Sequence, residues 1–362
     1  MKKYLSAKNI VIIIVSLFII FFVYNDYFLY KMPIMKINKI ENTNVTYGSF
    51  GEKYYNQKIS GIIKNGTNKG KKIIVNNITS TSNVNDEKIH IRSELFLNFS
   101  NENQVYSIVG IKRDKYIIIL IIIFIDLILF ICSKKGIKTL ISLFVNILIS
   151  AISILIFQNN IERLNLLLLY IFVSILFIIS SLYITNGKSK KTFSAIISSI
   201  VSLFVSFGFS YLIIKLYGKD VTIWTMNYIE YVRDYENYFY ICILLSGLGA
   251  IMDIAITISS SLNEIIMKNE KISKKELIKS GKEISKDIVG TMSSVILYTC
   301  FTPTIPLIFL AIKNNMSLSM AINYYGEIEL ITILCSCISI VLSIPISLYI
   351  STFILSKKEE LK

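Results

Sequence analysis

The run Gly247-Leu248-Gly249-Ala250-Ile251-Met252-Asp253-Ile254-Ala255-Ile256-Thr257 sets a carboxylate inside an otherwise apolar segment. Hydropathy puts it near the middle of a membrane-spanning helix, where an Asp costs about 2.5–3.5 kcal/mol on insertion, so a functional role is the first reading. A carboxyl group at that depth can relay a proton or couple to a cation. Helical spacing gathers Ser246, Gly249, Ala250, Asp253, Thr257, Ser260, Ser261 and Glu264 on one face, and Ile251, Ile254, Ile258 and Leu262 are expected to turn away. The next apolar segment opens with Asp287, Gly290, Thr291, Ser294 and Tyr298 along one face. Two such faces on consecutive antiparallel helices should meet. Asp253 lies roughly 15 Å along the axis from the end of its helix that leads on to Asp287, while Asp287 and Glu264 lie near that end. A polar path from mid-bilayer to cytoplasm is therefore expected, with Thr257, Ser260 and Ser294 as hydroxyls along it. The alternative is helix packing: Gly247, Gly249, Ala250, Gly281, Gly290 and Thr291 are small enough for close approach, and Asp253 could make a structural polar contact.

The elements that would hold these residues follow from composition. At 362 residues, 53% hydrophobic and with mean hydropathy +0.60, the chain is expected to be an integral membrane protein. Eight apolar segments are long enough to span, at about 9–30, 116–132, 139–157, 165–185, 193–217, 239–262, 287–312 and 329–356. The amino terminus, alternate loops and tail carry nineteen Lys and Arg, and the remaining short loops five. Both termini should thus be cytoplasmic in a multi-pass protein of a bacterial plasma membrane. The expected fold is a polytopic α-helical membrane protein of about eight helices, with a small extracellular β-rich domain between the first two. Its parts are an anchor (1–30), the β-rich domain (31–115), a seven-helix domain (116–356) and a tail (357–362). Period-two runs such as Lys58-Ile59-Ser60-Gly61-Ile62-Ile63 and Glu87-Lys88-Ile89-His90-Ile91-Arg92 predict a sandwich or barrel in the second part.

Three local signals refine the helical domain. Ser273-Lys274-Lys275-Glu276 is a capping box, and the helix it starts is amphipathic over 273–286, expected along the cytoplasmic surface. Thr302-Pro303-Thr304-Ile305-Pro306 interrupts the seventh segment, because proline removes backbone donors. Pro303 and Pro306 thus mark a kink or a broken helix of the kind that builds a substrate site. Trp224, Tyr228, Tyr231 and Tyr235 read as an interfacial aromatic belt.

Other chemistries are excluded or weakened. His90 is the only histidine and the five cysteines all lie in apolar runs, so no metal site, cofactor or disulfide framework is expected. The net charge of +14 sits at segment ends and in the polar block without a basic, aromatic-interleaved stripe, which argues against nucleic acid. Gly247-Leu248-Gly249-Ala250 approaches an intramembrane aspartyl protease motif, but Ala250 stands where the Asp should be. The Asn-X-Ser/Thr matches at Asn44, Asn65, Asn77 and Asn98 are expected to be chance. An enzyme is not expected.

The stretches at 247–265, 273–294 and 340–350, with Gly61, Gly70-Lys71-Lys72, Val75 and Asn76 in the polar block, resemble the YibE/F family of bacterial membrane proteins in its YibE-like arrangement. The resemblance carries Gly249, Ala250, Asp253, Ser259, Glu264, Gly281, Asp287, Gly290 and Thr291 as family-pattern positions. This chain departs from the pattern at Ser336-Cys337-Ile338-Ser339 and at the Thr-Pro-Thr-Ile-Pro run. The resemblance implies a permease of undetermined substrate. Two functions stay open: a proton- or cation-coupled permease or exporter of an unknown small solute or ion, or a non-transporting scaffold or envelope sensor whose outer domain binds a partner. The partners implied are the bilayer and the solute or ion, with a second copy or another membrane protein also admitted.

Overall fold

The structure is a computed structural model that describes residues 7–47, 53–81, 86–100, 105–160, 164–217, 235–269 and 271–356. It divides into two compact units, Met1–Gly136 and Ile137–Lys362.

In the first unit, α1 (Ala7–Tyr24) is followed by a 3-10 turn (Asp26–Leu29) and five strands: β1 (Ile34–Tyr47), β2 (Lys53–Ile63), β3 (Lys72–Ser80), β4 (Glu94–Ser100) and β5 (Val105–Ile111). They form one antiparallel sheet in the order β3-β2-β1-β4-β5, rather than the two sheets of a sandwich. Alternation puts Met35, Ile37, Ile59, Val75, Leu95 and Leu97 in one core. Asn65 is buried and its side chain is fully used, Oδ1 accepting from the Ile34 amide at 2.6 Å and Nδ2 donating to the Tyr30 and Met32 carbonyls, both at 2.9 Å. It clamps the entry to β1, a structural role for that sequon residue.

Gly61 faces the β1 backbone so closely that an added Cβ would lie 2.4 Å from the Lys36 carbonyl oxygen and 2.7 Å from Met35 Cγ. Gly61→Ala is therefore expected to force β1 and β2 apart and cost about 1–3 kcal/mol. Gly110→Ala, where a Cβ would meet nothing within 4 Å, serves as the control, with thermal unfolding as the measurement. Equal melting of the two variants would refute the close-approach argument.

The second unit is helical: α3 (Leu166–Asn186), α4 (Lys190–Tyr217), α5 (Tyr235–Ser246), α6 (Leu248–Lys268), α7 (Lys274–Phe301), α8 (Thr304–Lys313), α9 (Leu318–Tyr325) and α10 (Glu327–Ser356). α2 (Asp114–Asn159) begins in the first unit and leaves helical geometry at Ser133 (φ 47°, ψ −121°). Two apolar clusters organise the bundle. One joins Ile178, Leu182, Ala195, Leu203, Leu244, Ile251 and Ala255, and the other joins Ile254, Ile258, Leu262, Leu277, Ile296, Ile340 and Leu348. α6 lies between them and contributes to both.

The chain is a multi-pass membrane protein, but the expectation of eight spans with the β-rich part between the first two is corrected. Among the described residues five helices are long and apolar enough to cross a bilayer: Asp114–Asn159, Leu166–Asn186, Lys190–Leu216, Glu236–Lys268 and Glu327–Ser356. The count is six if Lys274–Phe301 and Thr304–Lys313 form one bent span. The strands at 34–111 precede the first of these helices. The physical reason is that a short basic run can kink a helix without opening a loop. Two of the expected spans, 116–132 and 139–157, fall within α2, a segment of 46 residues that kinks at Ser133 beside Lys134 and Lys135. Among the described residues the apolar stretch of α1, Asn9–Tyr24, is shorter than the roughly 20 residues of a typical span.

The capping box at Ser273 is present, with Ser273 Oγ accepting from the Glu276 amide and the Glu276 carboxylate accepting from the Ser273 amide. The amphipathic segment it starts continues without a break to Phe301, with Leu277 and Gly281 buried against the bundle. α7 and α8 are bent by 43° at the Thr302-Pro303 step. Of the aromatic belt, Tyr235 starts α5, while Trp224, Tyr228 and Tyr231 lie outside the described residues.

Candidate functional site

α6 has two faces, and the bundle takes the apolar one. Leu248, Ile251, Ile254, Ala255, Ile258, Ser259 and Leu262 are buried, whereas Gly249, Asp253, Thr257 and Glu264 are exposed and Ser260 is half-buried. The expectation that Ile251, Ile254, Ile258 and Leu262 turn away is thus reversed: they form the contact, and the aspartate face looks outward. Packing sets the choice, because in lipid an apolar side chain gains nothing by facing inward beyond the fit it makes there. Among the described residues Asp253 makes no hydrogen bond or ion pair. Gly247, at the start of α6, packs on Ser339, and Ser246 shares a 2.6 Å hydrogen bond with Ser336. Ala250 is half-buried against the second apolar cluster.

On α7, Gly290, Thr291 and Ser294 are also exposed. The Thr291 hydroxyl donates to the Ile288 carbonyl at 3.0 Å and the Ser294 hydroxyl to the Gly290 carbonyl at 2.9 Å, both within their own helix. A Cβ added at Gly249 or Gly290 would meet nothing within 4 Å, so neither glycine is used for packing in this unit. Gly281 is: a Cβ there would lie 2.3 Å from Leu348 Cδ2 and 3.0 Å from Leu262 Cδ2.

That contact sets the register of the two helices. Counting back from Leu262 on α6 and forward from Gly281 on α7 brings Asp253 level with Gly290, and Asp287 to within about 4.5 Å of the depth of Asp253. By this register Asp287 lies deeper than its expected place near the helix end, because α7 already packs on the bundle at Leu277 and Gly281. Glu264 lies nearer the basic end and is not level with Asp287. The side chain of Asp287 is outside the described residues. Pro303 caps α8 and Pro306 lies in its first turn, so both sit at the bend.

A feature missed in the sequence faces α6 from behind. Ser194, Ser198, Ser202, Ser206 and Ser210 recur at every fourth residue of α4, all nearly inaccessible, and Ser336, Ser339, Ser343, Ser347 and Ser351 line α10. Ser194 Oγ donates to Ser351 Oγ at 2.9 Å, and Ser259 Oγ donates to the Lys191 carbonyl at 2.8 Å. Small residues let these helices approach closely. The repeat was legible as a run of small residues spaced one helical turn apart.

The first unit holds two further carboxylate sites the sequence reading passed over. Asp126, inside the apolar run of α2, accepts from Ser16 Oγ of α1 at 2.9 Å. The signal that singled out Asp253, a carboxylate in an apolar segment, applies equally to it. The second site joins the turn after α1, the sheet and the start of α2. The Lys112 side chain is fully inaccessible and its Nζ donates to Asp26 Oδ1 and Asp114 Oδ2, both at 2.7 Å. Tyr30 donates to Asp114 Oδ2 at 2.7 Å, and its ring lies 4.9 Å from the Lys112 ammonium. Beside this, Glu94 Oε1 receives Lys115 Nζ at 2.6 Å and the Tyr27 hydroxyl.

Burial pushes the Asp26 carboxyl above the usual carboxylate range; Lys112 opposes the shift and Asp114 adds to it. Burial alone would lower the Lys112 ammonium, but Asp114 and Asp26 outweigh it and hold it above the ordinary lysine value. Burial, then Glu94, raises the Tyr27 hydroxyl, and burial, then Asp114, raises that of Tyr30. Lys112, Asp26, Asp114 and Tyr30 thus form one connected network of ion pairs and hydrogen bonds, with the Glu94 pair beside it.

Residues 120–357 match a family model described as YibE/F-like protein, and residues 28–112 match one described as YibE/F family N-terminal domain. No curated protein and no solved structure matches the chain.

Proposed function

Because the chain belongs to the YibE/F family, we propose that it is a secondary permease or exporter of a small solute or ion, coupled to a proton or cation gradient across a bacterial plasma membrane. One observation carries this reading: Asp253 stands on an exposed polar face of a spanning helix, with no ion-pair or hydrogen-bond partner among the described residues. A carboxylate there cannot be left in hydrocarbon at low cost, so water or a passing ion meets it. Asp253 is the ion-coupling group. Asp287, at similar depth on α7, and Glu264, toward the basic end, continue the route, with Thr257, Ser260 and Ser294 as hydroxyl steps. The bend at Pro303 and Pro306 frees backbone carbonyls that a substrate can use. Both termini are cytoplasmic by the distribution of basic residues, and the sheet is an outer gate or capture module.

A second reading has its own support. Gly249 and Gly290 are open to close approach, and small residues on an exposed face are how membrane helices admit a partner. In that case the polar face is covered by a second copy or another protein, and the chain is a scaffold or sensor. Proteoliposomes loaded with a panel of metals, inorganic anions and small organic solutes distinguish the two. The permease reading expects flux of at least one solute only when a pH or sodium gradient is imposed. Folded protein that moves none of them under either gradient would overturn it.

A further inference from the structure

Where the basic residues collect in the second unit, the first turns of α4 and α7 and the last turns of α10 enclose a cavity of about 660 Å³. Its walls are apolar, formed chiefly by Phe193, Ile197, Ile278, Tyr349, Ile350 and Phe353. Besides the Tyr349 hydroxyl, two lining residues carry polar groups, Lys274 and Thr352. Lys274 is exposed and makes no ion pair among the described residues. Thr352 is 4% exposed, and its Oγ1 has no hydrogen-bond partner among the described residues.

We propose that this cavity binds one anionic glycerophospholipid, with an acyl chain along the apolar wall and the phosphate on Lys274. Three features fit that ligand and no small polar solute. A trough of this volume falls in the roughly 300–1,000 Å³ range of ligand sites, which are mostly apolar with a few placed polar groups. Its single cation sits at the end where Lys190, Lys191 and Lys275 lie on the same helical turns, the arrangement that attracts anionic headgroups. Lys274 is also the first residue of α7, so the positive end of the helix adds to its charge. The orphaned Thr352 hydroxyl is the more pointed observation. A buried donor left unmade is costly; the oxygen is sealed from the trough as it stands, and a turn about χ1 would bring it to an ester carbonyl lying between headgroup and acyl chain. The lipid site stands independently of the transport reading.

Native mass spectrometry of the full chain in a non-ionic detergent tests it, with phosphatidylglycerol and phosphatidylcholine of identical acyl chains as the probes. The wild type should retain one phosphatidylglycerol, at about fivefold lower lipid concentration than phosphatidylcholine. Lys274→Gln, at an exposed position, should abolish that preference while keeping the fold. Ile197→Trp, which fills the trough, should lower retention of both lipids, and Thr352→Val should do so more mildly. Equal binding of the two lipids by wild type, or an unchanged preference in Lys274→Gln, would overturn the proposal. Displacement of the lipid by inorganic phosphate at equal concentration would also overturn it, by pointing to a headgroup-only anion site.

Discussion

Lys112→Met is expected to destabilise the sheet-bearing unit by about 3–5 kcal/mol, the usual cost of breaking a buried ion pair from one side. The substitution keeps a long apolar stem but removes two 2.7 Å charge-assisted bonds at once, leaving the Asp26 and Asp114 carboxylates facing each other without a cation. It also removes the ammonium from the Tyr30 ring. By contrast, Lys39→Met breaks only an exposed pair with Glu41 and should leave stability unchanged. Amide exchange of β1 and β4 in the full chain reads the difference, because the cluster anchors both strands. The pH dependence has a definite sign. The folded state raises Asp26 above its unfolded value, so its contribution is present at low pH and lost as pH rises through the folded value. Lys112, also raised, keeps its contribution up to the alkaline range and loses it only as pH climbs through its own folded value. Acidification from neutrality should therefore narrow the gap between wild type and Lys112→Met, since a protonated Asp26 no longer needs the cation. A gap that widens on acidification would show that Lys112 acts through packing instead.

How much of this was readable in advance varies with the range of the contacts. The capping box at Ser273 and the helix break at Pro303 depend on a few neighbouring residues, and both are where their local chemistry predicts. The two faces of α6 were also legible, but not which one turns inward. Periodicity separates Asp253 and Thr257 from Ile254 and Ile258, yet a membrane offers no hydrophobic bias to orient them; the small serines of α4 and α10, with Gly247 packed on Ser339, decide. The number of spanning helices failed for a related reason. Lys134 and Lys135 interrupt an apolar run, but the chain answers with a kink at Ser133 inside α2 and no separate loop. The Lys112 cluster was out of reach, because Asp26, Glu94 and Asp114 are drawn together by the pairing of β4 with both β1 and β5 and by the placement of α2. Asp126 was within reach and simply lacked the small-residue neighbours that drew the eye to Asp253. Gly61 and Gly281 matched a family pattern, and the structure supplies the reason, since each fills a gap too narrow for a side chain.

Asp253→Asn is expected to lower gradient-driven flux by about 100-fold or more, the order of effect seen when a positioned proton-transfer group is removed, with little change in folding. Asn keeps the size and polarity of the side chain but cannot exchange a proton at accessible pH, so only a role in coupling is lost. Asp253→Glu should retain part of the flux, because the titrating group survives on a longer stem. Asp253→Leu supplies the decisive contrast. An outward carboxylate at mid-bilayer costs about 2.5–3.5 kcal/mol, and in the permease reading that cost is borne for function alone; Leu should abolish flux while raising the thermal stability of the isolated chain. In the scaffold reading the same face is buried against another helix, and the carboxyl is satisfied there. Leu then leaves an unpaired partner across the interface and should weaken association, while Asn, which can still hydrogen-bond, should preserve it. Flux measured beside oligomeric state for the three variants separates these outcomes. Retention of full gradient-driven flux by Asp253→Asn would remove the aspartate from the coupling mechanism even if transport itself were established.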